Sequence, residues 1–94
     1  MQSGKTVVLL ATLDTKGEET RFVKDSIEAR GLRTLVIDTG VRGTPGFVAD
    51  VSRAEVAAAA GEDVIALAEA RDRGRAAGVM GRGAAEIVTR LHAE

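Results

Sequence analysis

The stretch Leu9–Glu19, LLATLDTKGEE, begins as an apolar run and closes as a charged turn carrying a single glycine. Thr6 to Leu13 is rich in Val and Leu without polar alternation, the pattern of a strand covered on both faces in a parallel sheet. Thr15 followed by Glu18 makes a capping box, and Glu18 and Glu19 fall in the first turn, where the helix macrodipole favours negative charge. A helix is therefore expected to about Arg30, with Phe22, Val23 and Ile27 as its inward stripe and Gly31 as a left-handed stop. Leu35-Val36-Ile37 then forms a second buried strand ending at Asp38. Strand, helix and strand within about 35 residues make a βαβ unit with a right-handed crossover, which sets the class as α/β, Rossmann-like with parallel strands.

Beyond this unit, Thr39 to Asp50 holds Gly40, Gly43, Pro45 and Gly46 and is long for a strand-to-helix connection. Loops of that length after parallel strands often carry function. Ser52 and Glu55 repeat the capping box ahead of a short helix ended by Gly61, and Asp63 opens another through Arg71. The last segment spaces Met80, Ala84, Ile87 and Leu91 at helical intervals despite Gly74, Gly78, Gly81 and Gly83. Each interior glycine costs about 0.5–1 kcal/mol relative to alanine, so close packing of this helix on a neighbour is expected. The whole reads as one partial subdomain over 1–94, with strands at about 6–13 and 34–38 and helices at about 16–30, 53–60, 63–71 and 74–92. Two parallel strands leave open sheet edges, so the chain is expected to be the first subdomain of a larger doubly wound domain, completed by further residues or by a second chain.

Composition narrows the function classes. A chain of 94 residues makes at most one small domain, and with Phe22 and Phe47 as its only aromatics the core must be aliphatic. Thirteen basic residues against 14 acids leave no positive field for a phosphate backbone, so nucleic acid is not an expected partner. There is no cysteine, which removes disulfides and thiolate metal sites. The longest apolar runs, Val7 to Ala11 among them, are far short of the roughly 20 residues a membrane span needs. A soluble, cytoplasmic protein with no membrane partner is the expectation.

In an open parallel sheet, ligands bind at the carboxyl ends of the strands, here Thr12 to Gly17 and Asp38 to Gly46. The first cluster offers backbone N–H groups at a helix N-terminus, hydroxyls on Thr12 and Thr15 and the point charge of Lys16, which together suit a phosphate. Asp14 is a candidate Mg²⁺ ligand beside it. Asp38 falls where dinucleotide-binding folds place an acid on the ribose hydroxyls, although no G-x-G-x-x-G precedes it. The competing reading is that Asp14 or Thr15 caps the helix, Lys16 is solvated and Asp38 starts a turn. Ser3-Gly4-Lys5-Thr6 precedes the first strand rather than following it and reads as a terminus, not a phosphate loop. His92 reads as a solvated helix end, and Arg71, Arg73, Arg75 and Arg82, interleaved with Glu69, Asp72 and Glu86, as solvated surface.

Three segments carry a resemblance: ATLDTKGEE at Ala11–Glu19, DTGVRGTPGFVADVSRAEVAAAAG at Asp38–Gly61 and DRGRAAGVMGRGA at Asp72–Ala84. In that order they resemble the Tm-one-like ATP-binding domain family. The resemblance implies two Rossmann-like subdomains with ATP in the cleft between them, a tendency to dimerise, and this chain as the first subdomain. Carried onto matching positions, it implies that Thr12, Asp14, Thr15, Lys16 and Gly17 face the ligand from the first strand, and Asp38 and Gly40 from the second.

The leading expectation is a nucleotide-binding module: helix amides and Lys16 on the phosphates, Asp14 supporting Mg²⁺, Asp38 on the ribose. One alternative is a part of a phosphoryl- or acyl-transfer enzyme with Asp14 as metal ligand or general base. Another is a structural subdomain whose open sheet edge and last helix pair with a second copy or a complementary subdomain, without ligand affinity.

Overall fold

The computed structural model describes residues 5–93, the side chain of 93 excepted, so Ser3 and Gly4 of the terminal segment lie outside the described residues. Six elements follow in order: β1 Thr6–Ala11, α1 Leu13–Glu28, β2 Arg33–Asp38, α2 Arg53–Ala59, α3 Val64–Ala70 and α4 Arg73–Ala93. β1 and β2 pair in parallel, from Thr6 opposite Arg33 to Ala11 opposite Asp38, so both strands deliver their carboxyl ends to one side. The class is α/β, a βαβ unit followed by three helices.

The two faces of the sheet are covered by different elements. Val8, Leu35 and Ile37 share one face in this register and join a core with Val56 and Ala57 of α2, Leu67 of α3 and Val79, Met80 and Ala84 of α4. α1, the crossover helix, lies against both strands from the other side. α4 approaches α2 so closely at Gly83 that any Cβ there would overlap the main-chain carbonyl of Val56. Of the four glycines spaced along this helix, Gly83 therefore has a packing reason, whereas a Cβ added at Gly81 would meet nothing within 4 Å. The outer edge of β2 is not open: Val51 forms a parallel bridge to Ile37, and its amide and that of Asp50 both donate to the Val36 carbonyl at 3.0 Å.

Two local expectations are corrected. The first capping box does not form: Thr12 occupies the cap position of α1 without a side-chain bond, and the Thr15 hydroxyl lies 3.0 Å from that of Thr12. The helix starts at Leu13 and kinks at Lys16, whose φ of −118° and ψ of 20° are non-helical. The cause is tertiary, because the Leu13 amide donates to Asp38 and its carbonyl accepts from Gly46, which hold the first turn apart from the helix proper. Nor do Phe22 and Val23 point inward, being 73% and 43% exposed. The buried residues of α1 are Leu13, Gly17 and Thr20, and Ile27 is half-buried on the same stripe. Thr20 tolerates burial because its hydroxyl donates to the Lys16 carbonyl at 2.7 Å.

The other caps match the local code. Ser52 and Glu55 form a reciprocal capping box on α2, Asp63 accepts from the Ile65 amide on α3, and Gly31 sits at a φ of +83° after α1.

Candidate functional site

The carboxyl ends of both strands and the N-terminus of α4 enclose a cleft of about 310 Å³. Thr12, Asp14 and Thr15 line it from the cap and first turn of α1, just after β1, Thr39, Gly40 and Arg42 from the loop after β2, and Asp72 and Arg73 from the start of α4. Four of the seven residues expected at a ligand, Thr12, Asp14, Thr15 and Gly40, are thus brought to one cleft.

The other three are placed elsewhere. Lys16 has a side chain 63% exposed and lies 3.9 Å from Glu19, an ordinary surface pair that does not line the cleft. Gly17 lies against the second loop, where a Cβ would come 3.2 Å from the Gly46 Cα, so its role is to let the two loops touch. Asp38 is 1% exposed. One of its oxygens accepts from the Leu13 and Gly40 amides at 3.3 and 2.9 Å, and the other from Arg53 Nε at 2.9 Å. A buried carboxylate is tolerated when so compensated, and the expected contact to a ribose is not open to it.

Arg53, which sequence reasoning missed, is the hub. Its Nε holds Asp38, and its Nη1 donates to the carbonyls of Arg42 and Gly43 at 2.6 and 3.2 Å. Its Nη2 faces Asp14 Oδ1 at 3.5 Å. One planar fork therefore ties the end of β1, the end of β2 and the long loop together. A signal was present: Arg53 stands in the first turn of α2, where the macrodipole disfavours a cation, so it needs a nearby carboxylate.

The charges lining the cleft are unequally committed. Asp14 faces Arg53, and an Asp72 oxygen accepts from the Arg75 amide at 3.0 Å and so caps α4. Arg42 and Arg73, by contrast, make no side-chain hydrogen bond or ion pair among the described residues. Arg73, expected as solvated surface, is exposed and also borders the cleft, while Arg75 pairs with Glu62 at 3.0 Å. The balance favours an anion. Among the described residues no three His, Cys, Asp or Glu side chains gather as a metal site, and the guanidinium beside Asp14 disfavours a second cation on that carboxylate. No helix of the described residues is long and apolar enough to cross a membrane.

Residues 5–94 match the N-terminal domain of an uncharacterised protein family, UPF0261. The chain is 47% identical over 90 residues to a UPF0261 protein of Clostridium tetani, covering 96% of this chain and 22% of that protein. It is 34% identical over 85 residues to one of Brucella suis, covering 90% and 20% of the two chains. A Rhizobium meliloti member is 34% identical over 84 residues, covering 89% and 21%. The chain thus spans about a fifth of the length of these curated relatives. The chain belongs to the UPF0261 family, which corrects the resemblance to the Tm-one-like ATP-binding family drawn from the three segments. No solved structure matches.

Proposed function

We propose that this UPF0261 N-terminal domain binds a phosphorylated small molecule, with a nucleotide as the leading candidate, in the cleft at the strand ends. The observation that carries the reading is the pair Arg42 and Arg73, both on the cleft and both without a partner among the described residues, beside carboxylates that are already engaged. Guanidinium groups take phosphate oxygens two at a time, and such charge-assisted bonds are about twice as strong as neutral ones. The hydroxyls of Thr12 and Thr15 add donors of the same sense. A cleft of about 310 Å³ suits the phosphate and sugar of a nucleotide, with the base reaching beyond it. Lys16 and Mg²⁺ on Asp14 have no part in this reading.

Thermal unfolding followed with ATP, ADP and inorganic phosphate tests it, since a ligand at 100 times its Kd stabilises by about 2.7 kcal/mol. Arg42→Ala and Arg73→Ala are each expected to weaken binding about tenfold or more, at about 1.5–3 kcal/mol for a bond to a charged group. Lys16→Ala is expected to leave it unchanged. Absence of any nucleotide- or phosphate-dependent stabilisation sinks the proposal.

The second reading, a pairing subdomain, is favoured by Leu10 of β1 and Phe22 of α1, exposed at 52% and 73%. A sedimentation mass that doubles with concentration, with no response to ligand, would select it.

A further inference from the structure

Arg42 lies between β2 and α2 in a segment without helix or strand, yet the main chain that carries it is held from several sides. Its carbonyl and that of Gly43 accept from Arg53 Nη1 at 2.6 and 3.2 Å. Gly43, at a φ of +58°, packs on Asp14, where a Cβ would come 3.3 Å from the Asp14 Cβ. Three residues further, the Gly46 amide donates to the Leu13 carbonyl at 3.0 Å. Arg53 is itself anchored: its Nε donates to buried Asp38 at 2.9 Å, its Nη2 faces Asp14 at 3.5 Å, and its side chain is 13% exposed. Arg42, by contrast, is exposed, lines the cleft and makes no side-chain bond among the described residues. One arginine is thus fixed and directs its donors at the main chain of another that is free to meet an anion.

An arginine offered from a wandering loop loses that loop's conformational freedom when it binds, whereas one offered from a clamped main chain has only its side chain left to order. We infer that Arg53 is a positioning residue for the cleft, acting on a bound phosphate only through Arg42, whose main chain it clamps; this rests on the phosphate reading above and adds how that site is held ready. Clamp and ligand are then linked in both directions. An anion that binds the clamped loop better than the loose one tightens the clamp by the same factor.

Calorimetric titration with ATP of the 94-residue chain, its Arg53→Lys and Arg42→Ala variants and the double variant provides the test. Lysine keeps a positive charge beside Asp38 but has no fork to span the carboxylate and the two carbonyls together. Arg53→Lys is expected to weaken ATP binding about fivefold when Arg42 is present and by less than about twofold once Arg42 is alanine, the coupled behaviour of residues that act as a unit. A role confined to holding the fold together would weaken binding equally in both backgrounds. Equal losses, or an affinity unchanged by Arg53→Lys alone, therefore overturn the inference and leave the phosphate reading standing. An Arg42→Ala variant that binds as tightly as the wild type overturns it as well, and no binding of ATP by the wild type overturns both. Circular dichroism shows whether Arg53→Lys is folded. If it is not, the wild type decides: saturating ATP is expected to slow hydrogen exchange at the Gly46 amide about fivefold while leaving the Ala29 amide at the end of α1 unchanged. The same response at both amides overturns the inference.

Discussion

Gly83 of α4 lies directly against the main-chain carbonyl of Val56 in α2, so that a Cβ at position 83 would fall 2.9 Å from the carbonyl carbon and overlap its oxygen. Backbone cannot rotate away as a long side chain can, so Gly83→Ala must push the two helices apart. Overpacking of this kind costs about 1–3 kcal/mol, which in a domain of this size lowers Tm by about 4–8 °C per kcal/mol. Gly81→Ala, two residues earlier and with open space around it, should instead raise Tm slightly, since alanine gains about 0.5–1 kcal/mol over glycine within a helix. Melting curves of the two variants should move in opposite directions; a shared direction would contradict the packing of α4 on α2.

Arg53 makes the second prediction. Its Nη1 holds the Arg42 and Gly43 carbonyls while its Nε holds buried Asp38. Arg53→Ala leaves that carboxylate short of its cation, a loss that costs about 3–5 kcal/mol for a buried pair. Arg53→Lys keeps the charge but cannot span both partners with a fork, so it should be milder in stability while freeing the loop. Hydrogen exchange reads the difference: the Gly46 amide, bonded to the Leu13 carbonyl, should lose protection in Arg53→Lys. Unchanged exchange there would show that the loop is held without the fork.

What the sequence discloses and what it hides divide along sequence distance. Ser52 with Glu55, Asp63 with Ile65 and Gly31 act within a few residues, and each does what local chemistry requires. Leu35-Val36-Ile37 and the run into Ala11 likewise announce two parallel strands, but only β2 carries buried residues; β1 is at most half-buried, with Leu10 52% exposed. Thr15 and Glu18 carry the same code as Ser52 and Glu55, yet the box is unmade because Asp38, 25 residues on, claims the Leu13 amide and Gly46 claims its carbonyl. The site follows the same rule. Thr12, Asp14, Thr15 and Gly40 stand at strand ends and were legible, whereas Arg42, Arg73 and Arg53 depend on how a loop and a distant helix fold back.

Phe22 tests the correction to α1. At 73% exposure the ring is mostly in water, and its loss removes little buried area. Phe22→Ala should therefore change stability by no more than about 0.5 kcal/mol, as surface substitutions do, against about 3–5 kcal/mol for a buried phenylalanine. Urea unfolding of the 94-residue chain distinguishes the two, and a loss of the larger size would put Phe22 back in the core.

Glu28, at the end of α1, supplies the pH dependence. The Thr34 hydroxyl on β2 donates to its carboxylate, and Lys24 does so from one turn earlier at 3.0 Å. These two bonds hold the Glu28 carboxyl below the ordinary glutamate range, Thr34 contributing most. Because the folded pKa lies below the unfolded one, the stabilisation is fully present above the unfolded value and is lost as pH falls through the folded value. Thr34→Val keeps the strand shape and deletes the leading donor, so Glu28 should titrate closer to its ordinary value and this part of the acid sensitivity should shrink. Lys24→Ala should move it less, the hydrogen bond from Thr34 being the larger cause. Carboxyl-carbon NMR titration of the three proteins gives the order directly. An unshifted Glu28 in the wild type, or a larger response to Lys24→Ala than to Thr34→Val, would overturn the assignment of the Thr34 hydroxyl as the tie between α1 and β2.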